Sequence, residues 1–145
     1  MTQVDFSKLS PKQVWQHFET LCTIPRPSKH EQQLRQHLQD WAEQRSLDTY
    51  IDEIGNLIIR KAATAGKEQV TGVILQGHLD MVHQKNNDTE FDFLTQGIDM
   101  YVDGDWVRAK GTTLGADNGL GVAAIMAVLE SKDIPHPAID ALFTI

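Results

Sequence analysis

The sequence has little cysteine, no long apolar run and no excess of basic residues, and each shortage excludes a class of protein. Its single cysteine, Cys22, rules out a disulfide within the 145 residues. No apolar stretch approaches the roughly 20 residues of a membrane span. The net charge of −7 argues against nucleic-acid binding, which needs a basic surface. Residues 1–13 lack the pattern of a signal peptide. We therefore expect a cytoplasmic protein that binds neither membrane nor nucleic acid.

Two helices are predicted near the N-terminus of what reads as one globular domain. Hydrophobic residues make up 41% of the chain, enough for a sizeable core. Ser10 and Pro11 have the pattern of an N-cap followed by proline at the first helical position. Ser28 and Glu31 have the spacing of a capping box for the second helix. The apolar stripes are Val14, Phe18, Leu21 and Cys22 in the first helix, and Leu34, Leu38, Trp41 and Ala42 in the second.

The remaining elements predict an α/β domain. "DTYIDEIGNLIIRK" indicates two strands around a turn at Gly55 and Asn56. Residues 70–75 end without a polar face, which is typical of a central strand buried on both sides. A long polar segment over 78–104, a short strand in "DWVRA", a buried helix over 118–130 and a strand in "HPAIDALFTI" follow. This order favours a layered mixed sheet flanked by helices, in which ligands bind beyond the carboxyl ends of the strands.

Candidate site residues lie where one of these strands ends. In "VILQGHLDMV", His78 and Asp80 are two residues apart and point to the same face if the strand geometry continues. A zinc-binding histidine commonly has its second ring nitrogen held by a carboxylate. The spacing therefore indicates a ligand with its orienting partner. A surface histidine beside a turn aspartate remains an alternative.

A second candidate lies in "GTTLGADNGLGVAAIMAVLE". Asp117 is either the N-cap of the buried helix or a carboxylate able to place one oxygen on each of two cations. The glycines at 111, 115, 119 and 121 permit close approach of the chain to a site. Residues 119–124 also match G-x-G-x-x-A, the dinucleotide fingerprint. Because "GTTLGADN" is not a strand, and Asp140 begins the next apolar run rather than ending it, we reject nucleotide binding.

Together, "GHLDMVHQKN" and "GTTLGADNGLGVA", with "IGNLIIRK" before them, resemble the aminoacyl-histidine or cytosol non-specific dipeptidases, members of the co-catalytic dizinc exopeptidases. The resemblance implies that His78 binds one zinc ion and that Asp117 bridges two. It places Asp80 in the catalytic site as the carboxylate that orients His78. It also implies a cis peptide bond between Asp117 and Asn118.

The resemblance further implies hydrolysis of dipeptides, such as β-alanyl-histidine, by a water bound between two zinc ions. Cobalt or manganese could replace zinc, since first-row ions compete for nitrogen and oxygen ligands. A protein of full length is expected to form a homodimer. The alternatives are a related amide hydrolase (an aminoacylase or a deacetylase) and a non-catalytic binding module with the same fold.

The sequence departs from the family pattern at its end. The family places a Glu-Glu pair, the general base and a zinc ligand, just after a strand like "ALFTI", and this sequence stops at Ile145. We therefore expect residues 1–145 to be the N-terminal portion of the catalytic domain, without the dimerisation domain. Alone, this portion is expected to be inactive, to hold metal weakly or not at all, and to self-associate through an exposed sheet edge.

The other histidines and the cysteine receive structural interpretations. His83 is expected to be exposed, and Cys22 to be a small core residue. No ligand cluster is expected at His17, His30 or His37, and Glu130 and His136 do not fall at matching family positions.

Overall fold

The computed structural model describes residues 5–145. Residues 1–4, the start of the segment without a signal-peptide pattern, lie outside the described part. A short 3-10 helix, Phe6–Lys8, comes first. The helices are α1 (Lys12–Thr23), α2 (Gln32–Glu43) and α3 (Ala116–Glu130). The strands are β1 (Asp48–Ile51), β2 (Leu57–Lys61), β3 (Val73–His78), β4 (Met100–Asp103), β5 (Trp106–Ala109) and β6 (Ile139–Thr144).

The predicted apolar stripes of α1 and α2 are confirmed, but their predicted caps are wrong. Pro11, not Ser10, occupies the N-cap position of α1, and no side chain caps this helix. Glu31 is the N-cap of α2, and the hydroxyl of Ser28 bonds elsewhere. The buried members of the stripes are Phe18, Leu21 and Cys22 on α1, and Leu34, Leu38, Trp41 and Ala42 on α2.

Four strands form a mixed sheet in the order β1-β2-β6-β3. Strands β1 and β2 form the predicted antiparallel hairpin, β2 pairs antiparallel with β6, and β6 pairs parallel with β3. The hairpin turn is held by Asp52, whose carboxylate accepts hydrogen bonds from the backbone N–H groups of Gly55 and Asn56. The α/β class, a mixed sheet with helices, is therefore confirmed.

The prediction that the strand over 70–75 is central and buried on both faces is wrong. Within residues 5–145, β3 has only β6 as a strand neighbour, and Ile74 is 71% exposed. The sheet edge that we expected to be exposed therefore lies on β3, whereas the last strand, β6, is central. The apolar run predicted a covered strand, but nothing in the described chain covers this edge.

Helix α3 packs against β3 and α1 and carries buried apolar side chains. Its span begins at Ala116, but the backbone is non-helical at Asp117 and Asn118, so the regular helix follows the predicted start at residue 118. The long segment after β3 is shorter than predicted, since β4 forms an antiparallel hairpin with β5. Strand β4 was not predicted, because its four residues follow a polar stretch. Among the described residues, no helix has both the length and the apolar character needed to cross a bilayer.

Candidate functional site

Three elements bring the candidate residues to one rim of the sheet. His78 is the last residue of β3 and lies opposite Thr144 of β6 in the parallel register. Because β3 and β6 run in the same direction, their carboxyl ends meet at this rim. Asp117 reaches it from the first turn of α3. Gly77 allows the approach, since a Cβ atom there would lie 3.2 Å from Cγ2 of Val122 in α3.

His78 is held by Asp80 through its Nδ1 atom. This nitrogen lies 2.9 Å from Oδ1 of Asp80 and 3.1 Å from the backbone carbonyl oxygen of the same residue. Both groups accept hydrogen bonds, so Nδ1 carries the proton. A carboxylate in this position fixes the imidazole orientation and leaves Nε2 as the atom that can bind a ligand.

The Nε2 atom of His78 points at Asp117. It lies 3.0 Å from Oδ1 of Asp117, whose side chain is 93% exposed. Asp117 is not the N-cap of α3: Gly115 holds that position, and no side chain caps the helix. The backbone of Asp117 is non-helical, with φ −93° and ψ 105°, and the peptide bond to Asn118 is cis, as the resemblance implies. The carboxylate is thus turned toward His78 and solvent.

The contacts of His78 and Asp80 set their protonation. Burial by itself lowers the pKa of His78, but hydrogen bonds to Asp117 and Asp80 outweigh burial and raise this pKa above its usual value. Burial raises the pKa of Asp80, yet hydrogen bonds from Ser28 and His78 outweigh it and lower that pKa. Both shifts favour a positive charge on the ring between two carboxylates. The site therefore stabilises positive charge at the point where a cation could bind.

The pair His78 and Asp117 has the donor chemistry and nearly the spacing of two zinc ligands. Imidazole nitrogen and carboxylate oxygen atoms are both common ligands of zinc. Two ligands of a tetrahedral zinc ion lie about 3.4 Å apart, and the donor atoms here are 3.0 Å apart. Within residues 5–145, however, no group of three or more His, Cys, Asp or Glu side chains could hold a metal ion. The described residues fit part of a metal site but do not complete its ligand set.

Ser28 is a site residue that sequence analysis assigned to a different role. Its hydroxyl donates a 2.5 Å hydrogen bond to Oδ2 of Asp80 instead of capping α2. The backbone of Ser28 is tied to the same loop, because its N–H donates to the carbonyl of Met81. In the sequence, Ser28 had only the local pattern of a capping box with Glu31, and a local pattern does not predict a contact 52 residues away.

The remaining histidines lie outside this cluster. His83 is exposed, as expected, and its ring contacts Phe93 edge-on, with centroids 5.7 Å apart. His17 pairs with Glu130, at the opposite end of α3 from Asp117. Nδ1 of His136 lies 2.7 Å from the carbonyl oxygen of Pro137. Neither Glu130 nor His136 therefore contacts His78.

The dinucleotide-like glycines have packing roles. Gly119 and Gly121 lie inside α3 rather than in a turn directly after a strand. A Cβ atom at Gly119 would lie 2.6 Å from Nη2 of Arg26, and one at Gly121 would lie 1.8 Å from Oδ1 of Asn118. These close contacts account for the glycines without a nucleotide.

Comparison with known proteins gives a consistent result. No protein-family model matches the chain. Over 140 residues, the chain is 49% identical to the cytosol non-specific dipeptidase of Escherichia coli (strain K12), which covers 97% of this chain and 29% of that protein. The crystal structure of aminoacylhistidine dipeptidase from Vibrio alginolyticus matches with a TM-score of 0.96 and 52% identity, over 99% of this chain and 29% of that one.

A more distant structure shares the fold. A tripeptidase from Staphylococcus aureus matches with a TM-score of 0.74 and 22% identity, over 92% of this chain and 36% of that one. The chain spans less than a third of the length of the two dipeptidases. Across that span, the sequence matches the two dipeptidases, whereas the tripeptidase shares the fold alone. The chain belongs to the family of the cytosol non-specific, or aminoacyl-histidine, dipeptidases.

Proposed function

We propose that this protein is part of a zinc-dependent dipeptidase in which His78 and Asp117 bind metal and Asp80 orients His78. One observation carries the proposal: the His78 ring has Asp80 at one nitrogen and Asp117 at the other, at 2.9 Å and 3.0 Å. A histidine held in this way is oriented for ligation, and its site favours positive charge. The dipeptidase names of the relatives support the reaction class.

Each residue has a distinct role in this proposal. Asp80 accepts a hydrogen bond from Nδ1–H of His78, which orients the ring so that Nε2 faces the proposed metal position beside Asp117. Asp117, with its exposed carboxylate, has a second oxygen available for a neighbouring cation. Bound zinc would polarise the scissile carbonyl and supply hydroxide near neutral pH. Cobalt or manganese would suit the same donor atoms.

We propose that the remaining ligands and the general base come from residues that follow Ile145 in a longer form of the protein. Thr144 lies beside His78 in the β3–β6 register. Residues joined after Ile145 would therefore start at the rim that carries His78. This geometry supports the proposal that residues 1–145 form the N-terminal portion of a catalytic domain. We propose that a carboxylate pair follows β6 and that residues 1–145 alone are inactive.

A cavity that could hold part of a small substrate borders Ser28, the residue that bonds to Asp80. A cavity of about 710 Å³ is lined by residues that include Ser28, His30, His83 and Phe91. This volume is in the range of small-molecule sites. Ser28 connects the cavity to Asp80 through its hydrogen bond. We propose that the cavity accepts part of a dipeptide, such as β-alanyl-histidine.

The cellular setting is proposed on the family relationship. The name of the Escherichia coli relative places that protein in the cytosol. We propose a cytoplasmic location for this protein too, and a homodimer for a form with the full length of the relatives.

Metal analysis tests the proposal. The unaltered protein, a His78→Ala variant and a His83→Ala control are compared at the full length of the relatives. We expect two zinc ions per chain in the unaltered and control proteins, and loss of zinc in His78→Ala. His83 is a suitable control because it is a nearby exposed histidine. Equal zinc content in His78→Ala would overturn the assignment.

Hydrolysis is a separate test. The 145-residue chain, with zinc added, is expected not to cleave β-alanyl-histidine, whereas the longer form is expected to cleave it. Cleavage by the short chain would contradict the proposed division of the site. Cleavage of N-acyl amino acids but not dipeptides by the longer form would instead support an aminoacylase.

A further inference from the structure

Arg26 is buried between the two segments that carry the candidate site. Its side chain is only 1% exposed, in the segment between α1 and α2. Burial lowers the pKa of its guanidinium, whereas the neighbouring Cys22 and Asp80 raise it and so oppose this shift. A buried charged group requires hydrogen-bond partners, because its desolvation is costly. The identity of these partners indicates what the arginine does.

The guanidinium donates hydrogen bonds to backbone carbonyls of both segments. Nη1 donates to Leu79 at 3.1 Å and to Asp80 at 3.4 Å, directly after His78. Nη2 donates to Gly115 at 2.6 Å, two residues before Asp117. One planar group thus joins the loop after β3 to the start of α3. Arginine suits this role, since its donors have a fixed geometry.

The backbone of Arg26 is fixed to the first of these segments. Its carbonyl accepts a hydrogen bond from the N–H of Met81 at 3.0 Å. Pro27 and Met81 form a parallel bridge next to it. The side chain therefore extends toward α3 from a backbone already anchored beside Asp80.

The start of α3 is shaped around this side chain. A Cβ atom at either Gly115 or Gly119 would lie 2.6 Å from Nη2 of Arg26. At Gly119 it would also lie 2.9 Å from Cε2 of Phe18. Two of the glycines in "GTTLGADNGLG" thus leave space for the guanidinium. The close approach predicted from these glycines involves a buried arginine.

We propose that Arg26 is a positioning residue that sets the distance between His78 and Asp117. It touches neither side chain's donor atoms and acts through the backbone on either side of them. Its consequence for metal binding rests on the proposed function, but the positioning itself does not. Loss of the guanidinium geometry should let α3 shift relative to β3, which would break the contact between Nε2 of His78 and Asp117.

The test reads the ring nitrogens of His78 by ¹⁵N NMR in zinc-free protein at one fixed pH. The main variant is Arg26→Lys, which keeps the charge but has one nitrogen and cannot bond to both segments in the same way. We expect the Nε2 signal of His78 to lose the character of a hydrogen-bonded nitrogen. The signals of His83 and His136 should remain unchanged. Arg60→Met, at an exposed arginine, is the control and should leave all of them unchanged.

A second variant covers the case in which Arg26→Lys does not fold. Gly119→Ala keeps the arginine but places a methyl group against Nη2, and it should change the same His78 signal. A folded variant of either kind with unaltered His78 signals would overturn the proposal. Since the signals are read without metal, they test the positioning of His78 and not the metal assignment. Zinc binding by a form with the full length of the relatives tests the proposed function alone.

Discussion

The hydroxyl of Ser28 donates a hydrogen bond to Oδ2 of Asp80, a residue 52 positions further along the chain. The other carboxylate oxygen, Oδ1, lies 2.9 Å from Nδ1 of His78. Each oxygen of Asp80 therefore has its own partner. The orientation of the imidazole depends on a serine that sequence analysis placed at a helix cap.

Replacing Ser28 by alanine should loosen Asp80. We expect Ser28→Ala to lower the free energy of unfolding by about 1 kcal/mol, the usual contribution of one such hydrogen bond. In a zinc-binding form of the protein, zinc affinity should fall by less than the roughly tenfold that loss of a direct partner of a metal-bound histidine costs, because Ser28 acts on His78 through Asp80. Urea unfolding and calorimetric zinc titration measure the two effects. Ser28→Thr keeps the hydroxyl, so it should retain most of the stability and most of the zinc affinity. Equal losses in Ser28→Ala and Ser28→Thr would contradict the role of the hydroxyl.

Gly121 should not tolerate a methyl group, although it lies within a helix. Alanine usually stabilises a helix interior relative to glycine by about 0.5–1 kcal/mol. Here the new Cβ would lie 1.8 Å from Oδ1 of Asn118. We expect Gly121→Ala to destabilise the protein by about 1–3 kcal/mol, as overpacking does. Chemical denaturation measures the change.

The matched control for this clash is a double variant. In the double variant Gly121→Ala, Asn118→Ala, the obstructing amide is gone. The double variant should therefore lose less stability than the sum of the losses in the two single variants. Additive losses would show that the amide of Asn118 is not the obstacle.

Lys61 should stabilise the end of α3. Its Nζ donates hydrogen bonds to the carbonyls of Ser131, at 2.7 Å, and of Val128, at 3.2 Å. The last turn of α3 has no basic residue of its own. Lys61→Met should therefore lower the free energy of unfolding by about 1–2 kcal/mol. Lys67→Met, at an exposed loop lysine, should change it by less than about 0.5 kcal/mol. Equal effects of the two changes would rule out this role for Lys61.

Cys22 should make stability depend on alkaline pH. Burial, the largest cause, raises the pKa of its thiol from 9.0 to about 11, although Arg26 opposes this shift. The folded thiol thus holds its proton more tightly than the unfolded one. The protonated thiol therefore contributes fully to the free energy of unfolding below pH 9.0, and this contribution is lost as the pH rises toward 11. The loss should total about 2–3 kcal/mol, since each pKa unit corresponds to about 1.4 kcal/mol.

Urea unfolding at several pH values between 8 and 11 measures this dependence. A Cys22→Ala variant should be less stable over this whole pH range. Its free energy of unfolding should, however, lack the fall with rising pH that the thiol causes. An unchanged slope in the variant would assign the alkaline loss to other groups.

The periodicity of apolar residues predicted the helices and strands that bury only one face. The stripes of α1 and α2 and the β1–β2 hairpin follow from spacing and turn residues, because local geometry decides which side chains meet. The position of β3 could not be predicted in this way. Its apolar residues indicate burial, yet strand order depends on pairing with β6, far along the chain.

The candidate site was predictable where two motifs carry its side chains, and not where other segments support them. His78, Asp80 and Asp117 were named from sequence, and the structure brings them within hydrogen-bond distance. Arg26 was missed because a charged residue between two prolines gives no sign of being buried. Its partners are backbone carbonyls, which every residue has, so no sequence pattern marks them.

The parallel pairing of β3 with β6 has a consequence for biosynthesis. The β1–β2 hairpin can close as soon as its short turn has been made, but β3 must wait until β4, β5 and α3 have been translated. Closing so large a loop is entropically costly, and distant pairings form slowly. A nascent chain on the ribosome would therefore expose both edges of β3, and Leu75, which packs against the core in the folded structure, until β6 emerges. Chaperones that bind short apolar stretches would find a target there during that interval.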